Sequence, residues 1–488
     1  MDSSSHRNAS ADGFARSRPS SVGIDARALE EFLEALAAEK IDVHSLLLHR
    51  AGRIATEFYW WPYTADRPRQ MHSIAKSFTA CAVGMAIAEG CCALSDRVVE
   101  FFPEHLPHSP SENLTLMTVE DLLTMRTGHA QETSGSLWRG LRTSWIGEFF
   151  KIPVVHRPGS VYQYTSAASY MLSAIITRVT GETLHEYLRP RLFEPLGIHG
   201  ESWDLGPDGI NPGGNGLACK TVDVLKLGVL HQQRGVWQGR RLLPERWVAE
   251  ATRPHTPRGY GYHWVCGPGG AACAMGKFGQ LLTVFPEHDA SVVMTAALNG
   301  AEACTRVLLP LIRRFFPRAF TDALTGDRAA EDRLEERARR AALPLALGPI
   351  PYPVDGRTGT YAYQFEPNAL GLVSMRLALR ASSLTLHLLD ADGDHAIDVG
   401  IGRWIEGQTD IPGRDLHHGY DLRPTPVMAG ATWCGADTLK MRWIFLESAF
   451  QDTVTLRFEG EQLGYSRAVN VNSGPLLQPP LHAWRLPA

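Results

Sequence analysis

Residues 73–90, Ser73-Ile74-Ala75-Lys76-Ser77-Phe78-Thr79-Ala80-Cys81-Ala82-Val83-Gly84-Met85-Ala86-Ile87-Ala88-Glu89-Gly90, put a hydroxyl and an amine at the head of an apolar run. The run from Phe78 to Ala88 is far short of the roughly 20 residues that span a bilayer, so it reads as a buried core helix that ends at Gly90. Residues three apart share a helix face, which brings the Lys76 amine next to the Ser73 hydroxyl. A serine becomes a nucleophile only with a base beside it, and an amine whose pKa is lowered by burial can be that base. The chain has 48 Lys and Arg residues, of which only seven are lysines. Arginine cannot give up its proton, so a lysine heading a buried helix in an arginine-preferring chain points to chemistry. An ordinary helix start, with Ser73 as cap and Lys76 reaching solvent, would show the same four residues.

Two further elements extend the pattern. Pro158-Gly159-Ser160-Val161-Tyr162-Gln163-Tyr164-Thr165-Ser166 is a turn followed by aromatic and hydroxyl residues, and a helix with Leu172, Ile175, Ile176 and Val179 follows it up to Gly181. A tyrosine on a loop before a helix can relay protons in a cleft, and Ser166 can hydrogen-bond the lysine or a substrate. A core tyrosine with a satisfied hydroxyl is the plainer account. Gly276-Lys277-Phe278-Gly279-Gln280 leads into the strand Leu281–Phe285, and such a glycine-rich entry lets backbone N–H groups approach a substrate oxygen, or is a simple bulge. Other signatures are missing. His185-Glu186-Tyr187-Leu188-Arg189 lacks the second histidine of a zincin helix, and no Gly-x-Ser-x-Gly elbow occurs. Gly276-Lys277-Phe278 has neither the spacing nor the hydroxyl of a P-loop. Asp390, Asp392 and Asp394 begin like a calcium loop, but Ile401 stands where a bidentate glutamate belongs, so a hairpin turn is expected.

The chain around these elements has 488 residues, a formal net charge of −4 and 44% apolar residues, enough for large cores and unlike a nucleic-acid binder. Eight cysteines without metal-type pairing read as reduced thiols. Residues 1–20 lack the apolar core of a secretory signal, so a cytoplasmic protein with a frayed N-terminus is expected. Helical spacing in Asp25–Ala38 is followed by the runs Ser45–Leu48 and Ile54–Tyr59 about an Ala51-Gly52 turn. Helical patterns then dominate to Leu192, Gly206–Gly216 is a long loop, and strands return at Gln280–Phe285 and Ser291–Ala296. This predicts an α+β unit whose sheet gathers distant segments. Asp327–Ala342 is Arg, Glu and Ala with almost no large apolar residue, which predicts a solvated linker helix. Alternation in Val373–Arg380, Ser383–Leu388, Leu439–Phe445 and Val454–Phe458 predicts a β-rich C-terminal domain.

The three elements, in this order, resemble the serine β-lactamase and penicillin-binding-protein superfamily, above all its class C-like esterase and amidase branch, to which 6-aminohexanoate-dimer hydrolase belongs. The likeness runs from about Gly23 to Pro317 and takes in Val119–Gly128, Phe193-Glu194-Pro195-Leu196-Gly197, Asn215–Asp223, Gly235–Trp247 and Gly261-Tyr262. It implies a β-lactamase/transpeptidase-like domain, an antiparallel sheet flanked by helices plus a helical lobe, over residues 23–318. A flexible tail over 1–22, a charged linker over 319–345 and a β-rich domain over 346–488 complete the expected organisation. It also implies an acyl-enzyme on Ser73, proton exchange by Lys76 and Tyr164, an oxyanion held by the N–H groups of Ser73 and Lys277, and substrate contacts by Ser166 and Gly276. No cofactor or metal is implied. The expected partner is a small-molecule ester or amide, with neither nucleic acid nor membrane, and a homo-oligomer stays open. Acyl transfer (a thioesterase or peptide cyclase), β-lactam hydrolysis, or a penicillin-recognising protein without turnover are the alternatives. Departures bear on substrate: Tyr164-Thr165-Ser166 replaces Tyr-x-Asn, and Ala274-Met275-Gly276 stands where β-lactam-cleaving members carry Lys-Thr-Gly. Lys277 follows the glycine, so its side chain is expected on another face than the missing lysine. Small esters or amides are therefore favoured over β-lactams.

Overall fold

The computed structural model describes residues 12–132, 134–135, 137–300, 302–321, 326–343, 358–422 and 424–487. It divides into two compact units, one comprising residues up to 296 together with 302–341, the other 297–301 together with 342–488.

The first unit is built on a seven-stranded sheet of β1 (Ala15–Arg16), β2 (Asp42–Arg50), β3 (Arg53–Tyr59), β4 (Val265–Cys266), β5 (Ala272–Gly276), β6 (Gln280–Phe285) and β7 (Ala290–Ala297), in the order β1-β3-β2-β7-β6-β5-β4. An N-terminal hairpin thus lies beside strands more than 200 residues later, as the separated β-type runs require. Helix α1 (Ala26–Ala38) buries Leu29, Phe32, Leu33 and Leu36, the stripe read from the sequence, and Asp25 caps it by accepting from the Arg27 N–H. Phe32 packs on Phe315 and Phe316, with ring centroids 5.8 and 4.9 Å away. Helix α2 (Ala75–Ala88) has no polar face at all: every residue from Ala75 to Met85 is buried, as a helix inside a lobe must be. Beside it lies α3 (Ser166–Thr180), capped by Thr165 and ended by Gly181 at φ 76°. Helix α4 (Thr221–Gln232) packs on β2 and β6. Two helices follow β7, α5 (Leu309–Ala319) and α6 (Arg328–Arg339).

Two expectations are corrected. The tail expected over 1–22 is not loose where it is described: β1 pairs in parallel with Arg53–Ile54, and Phe14 is buried against His49 and Trp237. One aromatic anchor and the Arg16–Glu57 ion pair are enough to hold it; residues 1–11 lie outside the described residues. The charged segment read as a solvated linker is also packed. Helix α6 rests on α1 and β3, burying Ala330, Glu331 and Leu334. Small residues permit this close approach, and Arg18 and Ser20 satisfy the Glu331 carboxylate. The boundary expected at 345–346 falls outside the described residues.

The second unit is all β. Its strands are β8 (Gly359–Phe365), β9 (Ser374–Leu379), β10 (Ser383–Leu389), β11 (Asp394–Ile401), β12 (Trp404–Thr409), β13 (Thr425–Trp433), β14 (Thr438–Phe445), β15 (Gln451–Glu459), β16 (Gln462–Val469) and β17 (Leu481–Arg485). They run β11-β10-β9-β8-β17-β16-β15-β14-β13-β12, and the pairing of Gly400-Ile401 with Gly430-Ala431 closes the sheet into a barrel. Leu384, Leu386 and Leu388 face inward on β10, the alternation seen in the sequence. The Asp390 loop is the hairpin turn expected, its Oδ1 accepting from the N–H groups of Asp392 and Gly393.

Candidate functional site

The chain enters the site through a short strand, Arg69–Gln70, paired with Leu217–Cys219, and the Met71 N–H donates to the Leu217 carbonyl at 2.9 Å. Residues His72–Ile74 then form a tight helical turn that runs directly into α2. His72 takes φ 48°, a left-handed conformation uncommon for a residue with a side chain, and its buried ring meets Phe278 edge-on at 5.3 Å. Phe278 is itself left-handed at φ 63°. Two such residues meet where the turn after β5 abuts the Ser73 turn, and strain of this kind gathers at functional sites.

Lys76 projects from the first turn of α2 and is 2% exposed. Its Nζ lies 3.1 Å from Ser73 Oγ, 3.1 Å from Ser166 Oγ and 2.8 Å from the Gly214 carbonyl. Burial pushes the amine down to about 7, with Arg139 adding to the effect and Glu132 opposing it. A Cβ on Gly214 would stand 2.9 Å from Lys76 Nζ and 3.1 Å from Ser169 Cβ, so its backbone packs directly on the amine. The Tyr164 ring lies over the amine, its centroid 5.0 Å from Nζ. Burial raises the Tyr164 hydroxyl above the ordinary phenol range, Glu132 adds to this, and a hydrogen bond with Ser73 works the other way. The third element closes the group. A Cβ on Gly276 would fall 2.4 Å from the Met71 carbonyl, so the end of β5 touches the turn that carries Ser73. Ser73, Lys76, Tyr164, Ser166 and Gly276 are thus brought together, with Lys277 next in the chain.

The strand argument does not apply to Lys277. It is the first residue past β5, in the turn to β6, where alternation no longer dictates direction. Its half-buried ammonium is lowered by burial and by Arg139, and opposed by Glu132, two residues that also act on Lys76. Ala274 is buried, 2% exposed.

Three supports escaped the sequence reading. Glu132 accepts from the Ser166 N–H at 3.0 Å and from Thr165 Oγ1 at 3.3 Å. Gly214 lay hidden in a stretch read only as loop. His263, buried and left-handed at φ 60°, pairs its Nε2 with Ser169 Oγ of α3 at 3.0 Å, while its carbonyl accepts from Ser77 of α2 at 2.9 Å. It ties together the two helices that carry the site. Nothing in the spacing of Glu132 or His263 marks them; only the folded chain brings them in.

Residues 33–314, more than half of the chain, match the Beta-lactamase family. The chain belongs to that family. It is 25% identical over 328 residues to penicillin-binding protein 4 of Amycolatopsis lactamdurans, covering 56% of this chain and 81% of that one. It is 23% identical over 285 residues to 6-aminohexanoate-dimer hydrolase of Paenarthrobacter ureafaciens, covering 52% and 72%. A solved structure from Bacillus anthracis bearing the latter name shares the fold, with a TM-score of 0.51, 19% identity and coverage of 62% of this chain and 86% of that one. This Beta-lactamase family member thus has hydrolase and penicillin-binding relatives within the serine hydrolase superfamily. Among its described residues no helix is long and apolar enough to cross a membrane, and no group of three His, Cys, Asp or Glu side chains could hold a metal ion.

Proposed function

We propose that the chain is a serine hydrolase that cleaves a small-molecule ester or amide through an acyl-enzyme on Ser73. The observation that carries this is the set of contacts at Lys76 Nζ. A neutral amine has two N–H donors and one lone pair. Donation to the Gly214 carbonyl and to Ser166 Oγ uses both hydrogens and turns the lone pair toward Ser73 Oγ, and burial keeps much of the amine neutral at pH 7. Lys76 then takes the Ser73 proton as Oγ attacks the acyl carbon. Tyr164 keeps its own proton at neutral pH, so it relays that proton to the leaving group. The N–H groups of Ser73 and Lys277 hold the oxyanion, Ser166 and Gly276 line the substrate, and water releases the acyl group.

Intact mass after treatment with a fluorophosphonate should show one adduct, on Ser73, and Ser73→Ala should lower kcat for p-nitrophenyl ester hydrolysis by about three to five powers of ten with an unchanged circular dichroism spectrum. A Ser73→Ala variant with most of its kcat ends the assignment. The buried Ala274 supports esters over β-lactams. Losing one charge-assisted contact to a substrate carboxylate is worth about 1.5–3 kcal/mol, so kcat/KM for nitrocefin should fall about 10- to 100-fold below that for a short p-nitrophenyl ester. Parity between the two would make β-lactam hydrolysis the better reading.

A further inference from the structure

Glu132 stands outside that proton path yet faces it. Its carboxylate accepts from the Ser166 N–H, from Thr165 Oγ1, and from the N–H and hydroxyl of Ser134. All these donors are neutral, so they orient the charge without cancelling it. The anion also sits at the N-terminal end of α3, where the helix dipole favours it. Although anchored, Glu132 remains exposed. One residue joins it to the chemistry: Ser166 donates its N–H to Glu132, and the Ser166 hydroxyl lies 3.1 Å from Lys76 Nζ. The Glu132 charge is felt by Lys76 and Tyr164, which contact Ser73, and by Lys277. Of the cations in the same space, Lys277 is half-buried and Arg139 also acts on Asp204.

We propose that Glu132 determines charge preference in the cleft, receiving an ammonium group on the ester or amide substrate and disfavouring a carboxylate. This deepens the serine hydrolase reading and rests on it. The test uses p-nitrophenyl esters of three acyl groups of similar length: pentanoate, trimethylammonium-capped butanoate and glutarate. The wild type should have a higher kcat/KM for the cationic ester than for the anionic one, and Glu132→Gln, which keeps the hydrogen-bond acceptor, should lower that ratio about tenfold. A purely structural Glu132 would change all three esters together and leave the ratio in place, which overturns the proposal. A wild type that prefers the anionic ester overturns it as well, whether or not the variant folds. Ser73-dependent turnover of the pentanoate ester with an unmoved ratio removes this inference alone. Absence of Ser73-dependent turnover of all three removes the hydrolase reading and the inference together.

Discussion

In the first unit Lys76 Nζ hydrogen-bonds neutral groups, whereas in the barrel Asp452 is buried between Arg467 and His417. Asp452 is fully enclosed, and its carboxylate accepts from Arg467 Nε at 2.6 Å and His417 Nε2 at 2.9 Å. Burial alone would raise that carboxyl, yet Arg467 and His417 hold it below the usual range. The Arg467 guanidinium lies 5.2 Å from the Trp443 ring, which completes a closed charge group under a hydrophobic wall. Lys76 has hydroxyls and a carbonyl in those places, and the charge of Glu132 offsets desolvation only in part, so its proton is loosened. The same physical cost, removal of charge from water, is compensated in one cluster and left standing in the other. A compensated charge is inert; an uncompensated one is ready to change its protonation state.

The comparison breaks most sharply at Lys76 itself. If a proton acceptor is needed there, Lys76→Arg should be nearly as damaging as Lys76→Ala, each lowering kcat for ester hydrolysis by at least about a thousandfold. The guanidinium stays protonated and is too large for the gap under Gly214. The wild-type acid limb should follow a group near pH 7, with activity rising as pH rises and Lys76 loses its proton. An active Lys76→Arg enzyme would make Lys76 an electrostatic residue, no different in kind from Arg467.

The barrel cluster should answer in stability instead. Asp452→Asn leaves Arg467 buried without its counter-charge and should lower the unfolding free energy of that unit by about 3–5 kcal/mol. Replacing Asp452, Arg467 and His417 together by apolar residues of similar volume should cost less than the single change. Urea denaturation followed by tryptophan fluorescence gives both values, and a near-neutral Asp452→Asn would show that water reaches the cluster.

How much of this was legible in the sequence follows from how local each signal is. Ser73 and Lys76 share one helical turn, and Tyr164 sits just before a capped helix, so spacing marks them as candidates and the family resemblance supplies their roles. The α1 stripe and the strand alternation of β10 are equally local. Gly214 and His263 matter through contacts made across more than 50 residues of chain, to Lys76 or between α2 and α3, and Glu132 through a contact to Ser166 34 residues away. No periodicity records such contacts. The packing of α6 was missed for a related reason: Ala330 and Leu334 offer little apolar area, and the helix is held largely by ion pairs such as Arg333 with Glu30 at 2.7 Å. Lys277 lies one residue past the end of β5, where strand alternation no longer carries a direction.

The smallest effect gives the finest test of the contrast. Lys76 binds its proton with a pKa of about 7 in the folded chain against 10.5 for an ordinary lysine. Between those values the unfolded chain holds more protons than the folded one, so this residue makes stability rise with pH across that window, and below about pH 7 its full penalty is present. Above pH 10.5 both states are deprotonated and the penalty vanishes. Lys76→Met removes the titration and fills similar volume, while leaving Ser166 and Gly214 without a donor. At about 1.4 kcal/mol per pKa unit, less the cost of those lost bonds, the variant should be more stable than the wild type by about 1–3 kcal/mol at pH 6–7. The gain should shrink toward pH 10. Using the difference between the two proteins cancels other groups that titrate in alkali, Tyr164 among them. Stability curves from urea denaturation at a series of pH values decide it. A Lys76→Met protein less stable than the wild type at pH 6 would mean that the amine is compensated after all, as Asp452 is, and that the site is held together by the charge instead of working against it.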